Sequence, residues 1–499
     1  MCEVRQGSYI GPVLALAPLP PDAPPLDAGE RFALDLLLDV ACVLRLADDV
    51  PAGAGAAAVQ LRLGADTGRA STDVAALGAG TWLGIADGAV TMPRAALALV
   101  RALAGGVAEQ RSAARDRHGR VPASENALVR AGELLEREPI VSRCALALAE
   151  AVRQAAGRRQ ALFLTPWPGG RRWAAALTHD LDVVEWWPAF TALRVAELLG
   201  KGELRRVARV LGAAAASGGR GVVWRGVQEV LRAEAAHGAR SSWFVLCDTP
   251  TLATARAGDL TYRPEGPAAR RIVAAILDGG HEIGLHGSFA TSEDPGRFAR
   301  QRARLGALSG APVDGVRQHY LRLRHDSTPA AMDEAGFRYD STLGFADRNG
   351  FRLGLADVAP VWSERDQRAL ALDEAPFCWM DRALSKYRGE ERPEAWIDDA
   401  LILADRCRAV QGLFVGIWHP NLTGALGYPG APAAYARLVS SLVARDAFLA
   451  PLGELVAWRR ARRAVRATHL TGAGAVALRD AAPALTVESS TGARVDVAR

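Results

Sequence analysis

Lysine is almost missing from this chain: it stands only at positions 201 and 386, although 60 of the 499 residues are lysine or arginine. Neither lysine follows a glycine-rich phosphate-binding loop, which weighs against a P-loop nucleotidase. No GxSxG stretch is present either, which weighs against a serine hydrolase of the nucleophile-elbow type. The six cysteines, at 2, 42, 144, 247, 378 and 407, form no CxxC pair and show no metal-site spacing. They read as reduced, mostly buried thiols. No apolar run reaches the ~18 residues of a membrane span. The first residues, "MCEVRQGSYIGPVLALAPLPPDAPP", lack a basic segment followed by a long apolar core. From these absences the expectation is a cytoplasmic protein with no transmembrane segment.

What is present is the composition of a folded globular chain, 49% hydrophobic and 23% charged, long enough for two or three domains. Abundant arginine, alanine and glycine suggest a high-GC bacterial coding sequence. The net charge is +5, with the arginines spread out, so no nucleic-acid partner is expected. One arginine cluster stands apart, "WRRARRAVRA" (458–467). It reads as a basic helix end favoured by the helix dipole, with contact to an anionic polymer or membrane surface as the alternative.

Three regions emerge. Residues 1–165 mix helical periodicity ("RFALDLLLDVACVLRL", "MPRAALALVRALAGGVAEQ") with irregular stretches and are expected to form an N-terminal α+β accessory domain. A helix start is expected near Ser124, Glu125 and Asn126. "TPWPGGRRW" marks a boundary. Across residues 170–466, short apolar segments alternate with helical ones: "WAAALT", "SSWFVLC", "HEIGLH", "GVRQHY", "FRYD", "ALDEAPF" and "LFVGIWH". That alternation predicts an α/β fold with a parallel sheet closed, or nearly closed, into a barrel. A helical insertion is expected at about 190–238. Residues 467–499 are β-prone with glycine turns and have no functional reading.

The segment "LTHDLD" carries the first chemistry. In an extended strand Asp180 and Asp182 share one face, while His179 and Leu181 take the other. Two carboxylates so close repel unless a cation separates their roles. One would then bind a divalent metal and the other stay free as a base. A simple cap or turn is the alternative reading. Three histidines, His286, His319 and His419, fall at the ends of predicted strands, where a barrel gathers its site. Arg317 and His319 share a strand face, whereas His281 and His286 fall on opposite faces. A lone histidine of this kind is more often a satisfied core residue; three together with the Asp pair favour a site.

Taken in order, "THDLD", "GGHEIGLHGS", "GVRQHYL", "GFRYDSTLGF" and "GIWHP" resemble the five motifs of the polysaccharide deacetylase family, whose shared unit is the NodB homology domain. The resemblance covers roughly residues 173–460. The region through "DRHGRVPASENALVRAG" also resembles a domain found ahead of some bacterial members. The resemblance implies a distorted (β/α) barrel of about seven strands. The implied activity is metal-dependent hydrolysis of N- or O-acetyl groups on an acetylated carbohydrate. It implies Asp180 as general base, Asp182 and His286 as metal ligands and His419 as general acid. Arg317 would orient the base and Asp340 would support the acid side. A metal such as Zn²⁺ polarises an amide carbonyl and lowers the pKa of water toward about 7.

One position departs from the family pattern. The second histidine expected four residues after His286 is Ala290, which cannot ligate. His319 is one candidate for the third ligand. Alternatively, a weakly held metal keeps extra waters, or hydrolysis is lost and the chain binds carbohydrate without cleaving it. Hydrolysis of a non-peptide C–N bond with little reliance on metal is a further reading. Trp186 and Trp187 are candidates either to stack on a sugar or to anchor a helix. Asp381, in "CWMDRAL", follows a predicted strand without an assigned role.

Overall fold

A computed structural model describes residues 13–47, 58–64, 73–159, 161–185, 189–216, 221–251, 254, 259, 262–423, 428–470, 476–479, 486–489 and 494–496. Cys2, Trp186 and Trp187 lie outside them.

The N-terminal region holds a four-stranded sheet of β1 (Leu14–Leu16), β2 (Val59–Gly64), β3 (Gly84–Ala86) and β4 (Ala89–Pro93), in the order β1-β2-β4-β3. Helices Ala28–Val40, Arg94–Ala104 and Ile140–Ala156 contribute buried faces to the same core. Helix Ala28–Val40 begins with a capping box: Asp27 accepts from the Glu30 N–H, and Glu30 accepts from the Asp27 N–H. Asn126 caps helix Ala127–Ala131, where a start was expected. This core is not self-contained, because Leu323, Leu343, Leu353 and Trp362 from the later region are part of it.

β5 (Leu162–Leu164) leads into the second sheet. Its strands are β6 (Ala174–Leu181), β7 (Ser242–Leu246), β8 (Glu282–Gly287), β9 (Gly315–Gln318), β10 (Tyr339–Asp340), β11 (Ala359–Ser363), β12 (Arg368–Glu374), β13 (Trp379–Met380), β14 (Leu413–Ile417) and β15 (Phe448–Leu449). The order is β11-β12-β10-β9-β8-β7-β6-β14-β13, with β15 also on β6. All seven sequence candidates lie in this sheet. The short β13 and β15 and the antiparallel β11 join them; all other pairings are parallel. The sheet is a curled half-barrel, consistent with a distorted barrel, and its end strands β11 and β13 do not pair with each other among the described residues.

β6 and β7 are buried along their whole length, as expected of strands covered on both faces. The helical insertion consists of Ala189–Gly200, Leu204–Ala216 and Val222–Ala235. Gly226 lets the last of these press on the loop after β14: a Cβ there would lie 2.1 Å from the Pro420 carbonyl oxygen. At the chain's end, β16 (Arg466–Leu470) pairs with β17 (Val476–Arg479), and β18 (Thr486–Ser489) joins β5 to β19 (Arg494–Asp496).

The arginine cluster is not a surface patch. Arg459 and Arg462, on helix Leu452–Ala464, are each 1% exposed. Arg459 pairs with Asp357, and Arg462 Nη2 lies 2.8 Å from Asp39 Oδ1 in the N-terminal region. Arg463 bridges Asp39 and Asp373 at 3.2 and 2.8 Å. Dipole compensation is therefore the smaller part of what this cluster does; its acidic partners lie far away in sequence. The five described cysteines, 42, 144, 247, 378 and 407, are free and buried.

Candidate active site

The C-terminal ends of the parallel strands open on a cavity of about 340 Å³. β6 brings Asp180 and Asp182 to it together, as strand alternation requires, and His179 turns away. His179 instead donates from Nδ1 to the Trp418 carbonyl (2.9 Å) and meets Glu234 through Nε2 (2.9 Å) in a buried cluster with Tyr435. His286 from β8, His319 just after β9 and His419 just after β14 also line the cavity. His281 faces Ser241 and Glu234.

Asp182, His286 and His319 each offer a ligand atom, all within 4.8 Å of one another. His286 Nε2 and His319 Nε2 lie 3.3 and 3.7 Å from Asp182 Oδ1. Atoms bound about 2.0–2.1 Å from a tetrahedral ion sit roughly 3.3 Å apart, so this donor set fits a divalent metal. The ring orientation fits as well. His286 Nδ1 donates to the Arg317 carbonyl (2.8 Å) and His319 Nδ1 to Asp259 (2.6 Å). Each Nε2 lone pair is thereby aimed at the common point. Asp259 is 1% exposed, and its other oxygen accepts from the Phe289 N–H. Ala290 sits in the turn Phe289–Ser292.

Asp180 is held by Arg317, which is fully buried. Arg317 Nη1 donates to Asp180 Oδ1 (2.8 Å) and Thr178 Oγ1 (2.9 Å); Nε and Nη2 donate to the Ser341 carbonyl and hydroxyl (both 2.8 Å). Burial alone would raise the Asp180 carboxyl, but Arg317, with His286 and His419, holds it below the usual range. Across the site, His419 Nδ1 donates to Asp381 at 2.6 Å, and the His419 backbone N–H donates to the other Asp381 oxygen at 2.6 Å. His419 Nε2 is thus turned toward Asp180 and Asp182, at 4.0 and 3.7 Å. Burial opposes its protonation, but Asp381 and the two cavity aspartates outweigh burial and raise its pKa.

Asp340, expected on the acid side, is not there. Register places it against Glu374 of β12, and it accepts from Thr342. Burial raises the pKa of both carboxyls. The carboxylate that holds His419 is Asp381, since β13 rather than β10 neighbours β14. Its position after a strand was the available signal. Asp259, which falls in the chain between β7 and helix Pro267–Asp278, gave none.

No protein-family model and no curated protein matches the chain. Solved structures similar to it include a Mycobacterium smegmatis protein described as a polysaccharide deacetylase (21% identity, 60% of this chain and 93% of that chain, TM-score 0.41). Puue allantoinase is similar at 14% identity over 59% of this chain and 92% of that one, TM-score 0.40. The peptidoglycan deacetylase PdaC from Bacillus subtilis is similar at 13% identity over 59% and 94%, TM-score 0.28. No helix among the described residues is long and apolar enough to cross a membrane.

Proposed function

We propose that the chain is a metal-dependent hydrolase that removes acetyl groups from an N- or O-acetylated sugar, with the reaction carried by residues 170–466. The observation behind this reading is the convergence of two oriented acid–base groups on one three-ligand cluster. Asp180 carries its own cation, Arg317, and His419 carries its own anion, Asp381.

Asp182, His286 and His319 would hold the metal, with His319 doing what Ala290 cannot. The ion, for which Zn²⁺ suits the donor set, would polarise the acetyl carbonyl and make water more acidic. Asp180, kept ionised by Arg317, takes the proton from the attacking water. His419, kept protonated by Asp381, gives a proton from Nε2 to the leaving nitrogen or oxygen. Opposite pKa tuning of the two groups lets one act as base while the other acts as acid.

The test is metal content by mass spectrometry on untagged protein, beside acetate release. About one equivalent of metal in the wild type is expected, in line with a three-residue site. It should be lost in Asp182→Ala, His286→Ala and His319→Ala. A wild type that stays empty after metal is supplied overturns the reading.

A further inference from the structure

The wall facing the metal cluster is built from a different part of the chain and has a different charge. Arg382 follows β13 and Asp381 directly. Lys386 lies four residues on, in the short π-helical turn Ala383–Tyr387, and both side chains line the cavity. Like charges at this spacing on a helical turn repel and destabilise it. Among the described residues no carboxylate lies within ion-pair reach of either, whereas the other charged groups of the wall are matched. Arg120 pairs with Asp116 at 2.6 Å, and Glu197 pairs with Arg194 and with Lys201 (2.9 Å).

The wall is also tied to the metal cluster. Tyr320 stacks on His319 (centroids 4.2 Å apart) and on His118 from the N-terminal region (5.0 Å). Tyr320 and Leu321 adopt successive positive φ values of 57° and 55°, a conformation non-glycine residues rarely take and one that clusters at functional sites. Arg120 holds this bend by donating to the Tyr320 carbonyl at 3.1 Å and reaches the Tyr387 hydroxyl at 3.2 Å. Lys386 Nζ lies 5.8 Å from the rings of both Tyr320 and Tyr387. One aromatic ring therefore separates the metal-side histidine from the Lys386 ammonium.

We propose, resting on the deacetylase reading above, that the acetylated sugar carries an oxyanion, phosphate or carboxylate, that docks on Arg382 and Lys386. The N-terminal loop Asp116–Arg120 completes the pocket by fixing Tyr320 and Tyr387. The docked anion supplies the countercharge that the turn lacks, and the rings of Tyr320 and Tyr387 flank the Lys386 ammonium.

Calorimetry on the full-length, metal-loaded chain with three probes tests this: N-acetylglucosamine, N-acetylglucosamine 1-phosphate and N-acetylmuramic acid. At least one charged probe should bind the wild type about tenfold or more tighter than the neutral sugar, the size of a charged hydrogen bond or two. Which charged probe wins identifies the oxyanion. The advantage should vanish in the Arg382→Met, Lys386→Met double variant and fall part-way in Lys386→Gln, which serves if the double variant fails to fold. No binding of either charged probe, equal affinity for all three, or a preference that survives both variants overturns the proposal. The last result is also what capture of the anion by the metal would give. Acetate release from the same probes keeps the two readings apart. Charged-probe binding through Arg382 and Lys386 without acetate from any sugar leaves the subsite standing and removes the hydrolase. Acetate released at equal kcat/KM from neutral and charged sugars removes the subsite and leaves the hydrolase.

Discussion

Replacing Arg317 by methionine tests how Asp180 is kept ready. Arg317 is fully buried and Asp180 is 4% exposed. The substitution removes four hydrogen bonds and the only guanidinium that touches this carboxylate among the described residues. Breaking a buried pair on one side costs about 3–5 kcal/mol, because the remaining charge is left desolvated. The loss depends on pH in a defined direction. In the wild type Asp180 titrates below its unfolded value, so its stabilisation is present above about pH 3.9 and goes only as pH falls through the lower folded value. In the variant, burial is no longer offset by Arg317, and the folded value rises. The charged form is then penalised as pH climbs through that raised value. The wild-type contribution is already nearly complete at pH 4.5, so the variant's growing penalty widens the gap between the two from pH 4.5 to pH 8. Urea denaturation of metal-stripped protein at the two pH values measures it. Arg317→Lys, which keeps the charge and loses the fork, should recover part of the stability at pH 8. A loss below about 1 kcal/mol at pH 8, within the range of an exposed pair, or an equal loss at both pH values, refutes the reasoning.

Asp259→Asn should weaken metal binding by about 10- to 100-fold while leaving the three ligands in place, because it loosens the His319 ring; competition with a chromogenic chelator reads this directly. His325, buried beside Glu109, is pushed down to about 4 by burial. Its contribution to stability is complete above about pH 6.5 and drains away as pH falls toward 4, by roughly 3 kcal/mol. His325→Gln should flatten that acid limb in denaturant titrations, and an unchanged limb would count against a neutral buried histidine.

How much of this was legible in the sequence depends on the range of the physics involved. Strand alternation is local, so "LTHDLD" already told which of Asp180, His179 and Asp182 share a face, and the strand ends located His286, His319 and His419. Asp340 was misplaced because its surroundings depend on strand order. Only the pairing of β13 with β14 puts Asp381 beside His419, and only the β10–β12 register turns Asp340 toward Glu374. Asp259 reaches His319 from 60 residues away, beyond any periodic pattern. The arginines of "WRRARRAVRA" looked like a solvated helix end because Asp39 and Asp357, their partners, are 423 and 102 residues distant.

Those arginines also bear on how the chain comes apart. Asp39 belongs to the first long helix and Arg462 to the last, and each is buried against the other. A frayed N-terminal helix would strand the buried cation of Arg462 and leave Arg463 with Asp373 as its one carboxylate partner. A loosened C-terminal helix would strand one anion in the first region. Neither helix can melt cheaply while the other holds, so Ala28–Val40 and Leu452–Ala464 are thermodynamic hostages of each other and should be lost in one cooperative step.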